Sequence, residues 1–194
     1  MNISTKLLAI SAALVLAGAS AQAQVYTAVL NGANESPANI SPGTGFATIT
    51  LTLATHTLRV QVDFTGLSGT TSAAHIHAPT AVPGTGTANV ATQTPSFSGF
   101  PLGVTAGTYD FTFDMSSSST WNPAYVTANG GSVPATETAF ASAVQNGTAY
   151  LNIHTNAFPG GEIRGFFAVP EPVSTLLLIG GVGVAIAAYR IRRR

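Results

Sequence analysis

Phe46-Ala47-Thr48-Ile49-Thr50-Leu51-Thr52-Leu53-Ala54-Thr55-His56-Thr57-Leu58-Arg59-Val60-Gln61-Val62-Asp63-Phe64 decides the fold class. Ala47, Ile49, Leu51 and Leu53 alternate with Thr48, Thr50 and Thr52, the period of a strand that buries one face. Leu58, Val60, Val62 and Phe64 do the same against Arg59, Gln61 and Asp63, and the short link Ala54-Thr55-His56-Thr57 makes the pair a hairpin. Working outward, strands are expected at Val25 to Leu30, Thr108 to Phe113, Ala149 to Thr155 and Glu162 to Phe167. Gly and Pro clusters such as Ser41-Pro42-Gly43 and Pro159-Gly160-Gly161 separate them. Glu137 to Asn146 instead spaces Phe140, Ala143 and Val144 for a short helix after Pro134, ending at Asn146-Gly147. The segment 79–103 has little periodicity and reads as a long loop over one end. The expected class is all-β, an antiparallel β-sandwich or Greek-key barrel with one short helix.

Both ends of the chain read as addresses. Residues 1–23 carry Lys6, an apolar run from Leu7 to Ala17, and Ala21-Gln22-Ala23, a pattern for a signal helix cut by signal peptidase after Ala23. At the other end, Val169-Pro170-Glu171-Pro172 precedes an uncharged run from Val173 to Tyr189 and then Arg190, Arg192, Arg193 and Arg194. As a helix, 173–189 reaches roughly 25 Å, at the short end for a bilayer. The arginines would stay cytoplasmic, leaving residues 24–168 outside. Segment 169–194 resembles the PEP-CTERM sorting signal of bacteria that make extracellular polysaccharide. That resemblance implies cleavage near Pro170-Glu171-Pro172 by an exosortase-type membrane protease, with transient anchoring and delivery to the cell surface or matrix. A permanent single-span anchor is the alternative.

The chain has 194 residues, of which 7% are charged. Arg59 and Arg164 stand against Glu35, Asp63, Asp110, Asp114, Glu137 and Glu162 in 24–168, a net charge of −4. A mildly acidic domain without a basic patch argues against nucleic acid as a partner. Without cysteine there are no disulfides, thiolate ligands or cysteine nucleophiles, so stability must come from the sheet core.

Chemistry is concentrated in the histidines. In Ala73-Ala74-His75-Ile76-His77-Ala78-Pro79, an extended backbone puts both imidazoles on one face and Ile76 on the other. In 149–155, Ala149, Leu151 and Ile153 fit the core, leaving Tyr150, Asn152 and His154 opposite. A hairpin across 156–161 would add Glu162 and Arg164 to that face, and if the Ile76 strand neighbours it, His75, His77 and His154 converge. Three neutral imidazoles suit Cu or Zn, with Asn152, Glu162, Tyr150 and Arg164 as outer partners. Three nitrogens within about 4 Å of a common point would favour the metal. The alternative is structural: each ring donates to a nearby carbonyl or stacks under the long loop. Glu162 and Arg164, two apart, are expected to form a surface ion pair worth under about 1 kcal/mol. No nucleophile elbow, phosphate loop or His-Glu-x-x-His is present, so a non-enzymatic role is favoured.

Tyr26-Thr27-Ala28-Val29-Leu30-Asn31-Gly32-Ala33-Asn34-Glu35-Ser36-Pro37, Ala74-His75-Ile76-His77, Tyr150-Leu151-Asn152-Ile153-His154-Thr155 and Pro159-Gly160-Gly161-Glu162-Ile163-Arg164-Gly165, in this order, look like the CHRD domain, named from chordin. Phe166 departs from the polar residue expected after that Gly. The resemblance implies a β-sandwich in an extracellular setting. By analogy with chordin it also admits a protein-binding module. The His-x-His strand is also similar to the copper-ligand strand of Cu,Zn superoxide dismutases, which are Greek-key sandwiches. Their disulfide is impossible here and no zinc-loop histidines follow His77, so only architecture is carried over. The expected function is a surface or exopolysaccharide-matrix protein that binds polysaccharide or surface proteins, with a Cu- or Zn-binding protein as the alternative.

Overall fold

The computed structural model describes residues 22–168. The expected signal helix, sorting motif and transmembrane helix lie outside them, apart from Gln22 and Ala23. Among the described residues no helix is long and apolar enough to cross a membrane. Seven strands form one antiparallel sheet: β1 (Gln24–Asn31), β2 (Thr44–Thr52), β3 (Thr57–Thr65), β4 (Thr71–His77), β5 (Gly107–Asp114), β6 (Tyr150–Thr155) and β7 (Ile163–Phe166). Their order is β4-β6-β7-β1-β2-β3-β5, and the sheet curls into a half-barrel.

The hairpin of β2 and β3 has the register that alternation demands, with Ala47 opposite Val62, Ile49 opposite Val60 and Leu51 opposite Leu58. These six side chains are buried and their outward neighbours are not, so the pair hides one face only. The chain turns at His56 in the left-handed region (φ 53), a strained place for a non-glycine residue.

The strands share one sheet because β1 also pairs with β7. Asn31 lies opposite Arg164, and the Thr27 and Ala168 amides bond each other's carbonyls at 2.9 and 3.0 Å. A Cβ at Gly165 would meet the Val29 carbonyl oxygen at 2.3 Å, so only glycine permits this approach. The curl then encloses one core contributed by both halves of the sheet, including Leu30, Ile49, Val60, Ile76, Leu151 and Ile163.

Between edge strand β5 and β6 the chain forms α1 (Pro123–Ala128) and α2 (Val133–Gln145). Helix α2 starts four residues before the expected Glu137, because Pro134 sits in its first turn, where a missing N–H costs nothing. It buries Phe140, Ala143 and Val144 as the spacing predicts, with Phe140 edge-on to Trp121. The unanticipated α1 has its own signal: Asn122 caps the Ala124 amide at 3.0 Å ahead of Pro123.

β4, β6 and β7 differ from the rest in having both faces covered. One side belongs to the core, and over the other pass the long loop after β4, which bonds His75 and His77, and the segment after β1, which bonds Arg164.

Candidate metal centre

His75 lies opposite Asn152 and His77 opposite Tyr150, while Asn152 and Tyr150 lie opposite Arg164 and Phe166. Directly opposed residues share a face, so β4, β6 and β7 bring His75, His77, His154, Tyr150, Asn152 and Arg164 together as expected. The sequence reading had placed them on a non-core surface, but His75 and His77 are 7% and 8% exposed and Asn152 and Arg164 are each 3% exposed. The covering loops account for this, since periodicity along a strand cannot register a second layer.

One ring nitrogen from each of His75, His77 and His154 lies within 4.8 Å of the other two. Three atoms so spaced fall within about 2.8 Å of a common point, somewhat wider than the metal–nitrogen bonds of about 2.0–2.1 Å that a bound ion would require. The ring centroids are 5.2 to 5.9 Å apart.

The other nitrogen of each ring is held by a backbone carbonyl. His75 Nε2 donates to Pro95 O at 2.6 Å, His77 Nδ1 to Ala88 O at 2.9 Å and His154 Nδ1 to Pro159 O at 2.9 Å. A carbonyl only accepts, so each hydrogen is on that nitrogen and each lone pair is on the other. Those other atoms, His75 Nδ1, His77 Nε2 and His154 Nε2, are buried and without a protein partner. The structural reading of the histidines, donation to a carbonyl under the loop, is therefore met, and the same bonds orient the rings as metal ligands require.

Electrostatics keep the rings neutral. Burial pushes His77 down to about 4, helped by the charges of His75, His154 and Arg164 and opposed by the bond to Ala88. His75 and His154 are also lowered, chiefly by burial. Neutral imidazole is the metal-binding form.

Tyr150 lies parallel to His77, with centroids 4.9 Å apart and planes 5° apart. Its hydroxyl meets the Ala88 backbone, whose carbonyl also holds His77. The Arg164 guanidinium covers the far side of the tyrosine at 4.8 Å.

Glu162 departs from its expected place. Gly161, at φ +130, takes the chain off the strand alternation just before it. The Glu162 carboxylate accepts bonds from the Ser41 and Thr155 hydroxyls and the Ser68 and Gly69 amides. Burial alone would raise this carboxyl, but those four donors hold it below the usual range. Its oxygens serve the loops and not the histidines, and the expected Glu162–Arg164 surface pair does not form.

Arg164 faces Glu35 instead, at 3.8 Å, with both side chains about nineteen-twentieths buried. Two of its donors go to the carbonyls of Asn34 and Gly86. Burial raises the Glu35 carboxyl to about 7, against the lowering effects of Arg164, the Ser36 amide and Asn152. Glu35 was missed as a site residue, although it is the only carboxylate between residues 24 and 62. His56 lies apart from the cluster, its Nδ1 bonded to Glu137 at 2.8 Å.

No curated protein and no solved structure matches the chain. The family model of the CHRD domain does match, over residues 26–167, a span that holds the curled sheet, both loops over the histidines and every residue of the site. The chain belongs to the CHRD domain family.

Proposed function

We propose that this protein is an exported CHRD-domain protein that binds one copper or zinc ion through His75, His77 and His154. The observation that carries the reading is the division of labour within each ring. One nitrogen is anchored to a backbone carbonyl, and the other is buried without a protein partner in a cluster whose ring centroids lie 5.2 to 5.9 Å apart. A packed core has no reason to leave three such lone pairs side by side, since each costs desolvation without return. A divalent cation satisfies all three at once. Metal analysis of purified protein decides the matter: about one Cu or Zn per chain is expected, and negligible metal after incubation with either would sink the proposal.

The surroundings of the site are proposed from the two ends of the chain. The N-terminal pattern supports export by way of signal peptidase, and the Pro170-Glu171-Pro172 motif, apolar run and arginine cluster support exosortase-type processing and delivery to the surface or exopolysaccharide matrix. Mass spectrometry of the surface form tests this, with an intact 173–194 segment counting against processing. Polysaccharide binding or attachment to surface proteins would be the role of the delivered domain. Failure to retain the protein on the matrix polysaccharide would remove that role and leave the metal site standing.

A further inference from the structure

Six buried side-chain polar atoms lack a hydrogen-bond partner among the described residues; four belong to this one face and a fifth to Glu35, in the segment that packs over it. Three are the histidine nitrogens already described. The other two are Asn152 Oδ1 and Glu35 Oε1. Asn152 stands between His75 on β4 and Arg164 on β7 in the sheet register, and next to His154 on the same face of β6. A Cβ at Gly161 would clash with Asn152 Nδ2 at 2.5 Å, Asn152 Oδ1 at 2.6 Å and Glu35 Oε1 at 2.8 Å, so the Asn152 and Glu35 side chains close together over a bare glycine Cα. Glu35 also lines a polar cavity, together with Asn34, Ser36, Thr85, Arg164 and Phe166.

The open valences divide by type. Three nitrogens offer lone pairs that a metal takes, whereas two oxygens need hydrogens that a metal does not supply. A water bound to the metal carries two hydrogens and, being acidified by the cation, donates them strongly. No fourth histidine or carboxylate joins the three ligands among the described residues. Three protein nitrogens with one position left over is the pattern of open centres, in contrast to structural sites closed by four protein ligands.

We infer that the metal, on the reading proposed above, keeps a fourth and exchangeable position, occupied by a water held by Asn152 Oδ1 and Glu35 Oε1. Small anions reach this position through the cavity, past the Arg164 guanidinium. Five donors belong to a guanidinium, and two of those on Arg164 are engaged by carbonyls, so the remainder can meet an entering anion.

The test uses copper as a probe in the full chain, with azide as the anion. Copper-loaded protein is expected to speed water-proton relaxation above the metal-free level, and azide is expected to reverse that effect while shifting the copper absorption saturably. In Glu35→Gln an amide donor faces the position in place of a carboxylate, so azide should bind about tenfold tighter per copper bound. One bound copper with no water exchange and no response to azide would overturn this inference while leaving the metal reading intact. An azide affinity unchanged in Glu35→Gln would overturn the place given to Glu35. Failure to bind copper or zinc at all would overturn the metal reading, and this inference with it.

Discussion

Replacing His77 by alanine removes one of three nitrogens, a bond to the Ala88 carbonyl at 2.9 Å and a ring stacked 4.9 Å from Tyr150. Loss of a group that merely orients a metal ligand costs 10–100-fold in affinity, so loss of the ligand itself costs at least about 100-fold. Suppose metal is supplied at 100 times the dissociation constant of the native protein. The native fold then gains about 2.7 kcal/mol, whereas a variant bound 100-fold more weakly gains only about 0.4 kcal/mol. At about 2–4 °C per kcal/mol for a chain of this length, the native melting temperature rises by about 5–11 °C and that of His77→Ala by under about 2 °C. Metal-free His77→Ala melts lower than metal-free native protein because a buried ring has left a cavity, and this is why the quantity compared is the metal-induced shift. The assay is thermal unfolding after chelation, with and without added zinc. A full native-sized shift in His77→Ala would refute the reasoning, whatever the variant's own stability.

Acid should weaken the metal-free fold through the same ring. Burial lowers His77 to about 4, against about 6.5 in the unfolded chain, so below about pH 6.5 the unfolded state takes up a proton that the folded state refuses, and stability falls as pH drops toward 4. Glu35 has the opposite sign: raised to about 7 from about 4.3 in the unfolded chain, it keeps its proton on folding, so its contribution falls as pH rises between those values. Denaturant midpoints at pH 5 and pH 8 should differ less on the acid side in His77→Gln, and Glu35→Gln should gain relative to native protein at pH 8; midpoints that track the native protein in both variants would contradict these assignments. Glu162→Gln keeps the volume but turns an amide toward four donors, and should cost about 2–4 kcal/mol in urea unfolding, with metal stoichiometry unchanged. Tyr150→Leu removes the platform under His77 and the hydroxyl at Ala88, and should weaken metal 10–100-fold by competition with a chelator, while Tyr150→Phe, which keeps the platform, should lose less.

The strands were legible because alternation is a local consequence of burying one face of a pleated sheet. Ala47 to Phe64 carry it almost residue by residue, and Ile76, Leu151 and Ile153 carry enough of it to assign His75, His77, Tyr150, Asn152 and His154 to the other face. The convergence of three histidines needed only one further step, that β4 neighbours β6, and the structure supplies it. Glu162 was misplaced because alternation was extended past a glycine at φ +130, where the backbone leaves the strand. Helix α2 was placed late because a proline inside its first turn was read as a boundary before it.

By itself, then, the sequence determined that the fold is antiparallel β, though not that its strands make one curled sheet in place of a sandwich, and it determined the polar face of β4 and β6 and which three histidines meet there, all set by contacts within a few residues along the chain. Which nitrogen of each ring is free was decided only in the folded molecule, because Pro95, Ala88 and Pro159 reach the imidazoles through loop paths that no local pattern specifies. The pairing of Arg164 with Glu35 likewise joins residues 129 positions apart in the sequence. Burial of the site has the same origin. A strand's periodicity reports the core beneath it, whereas the layer above His75 and His77 comes from segments whose own sequences carry no period at all.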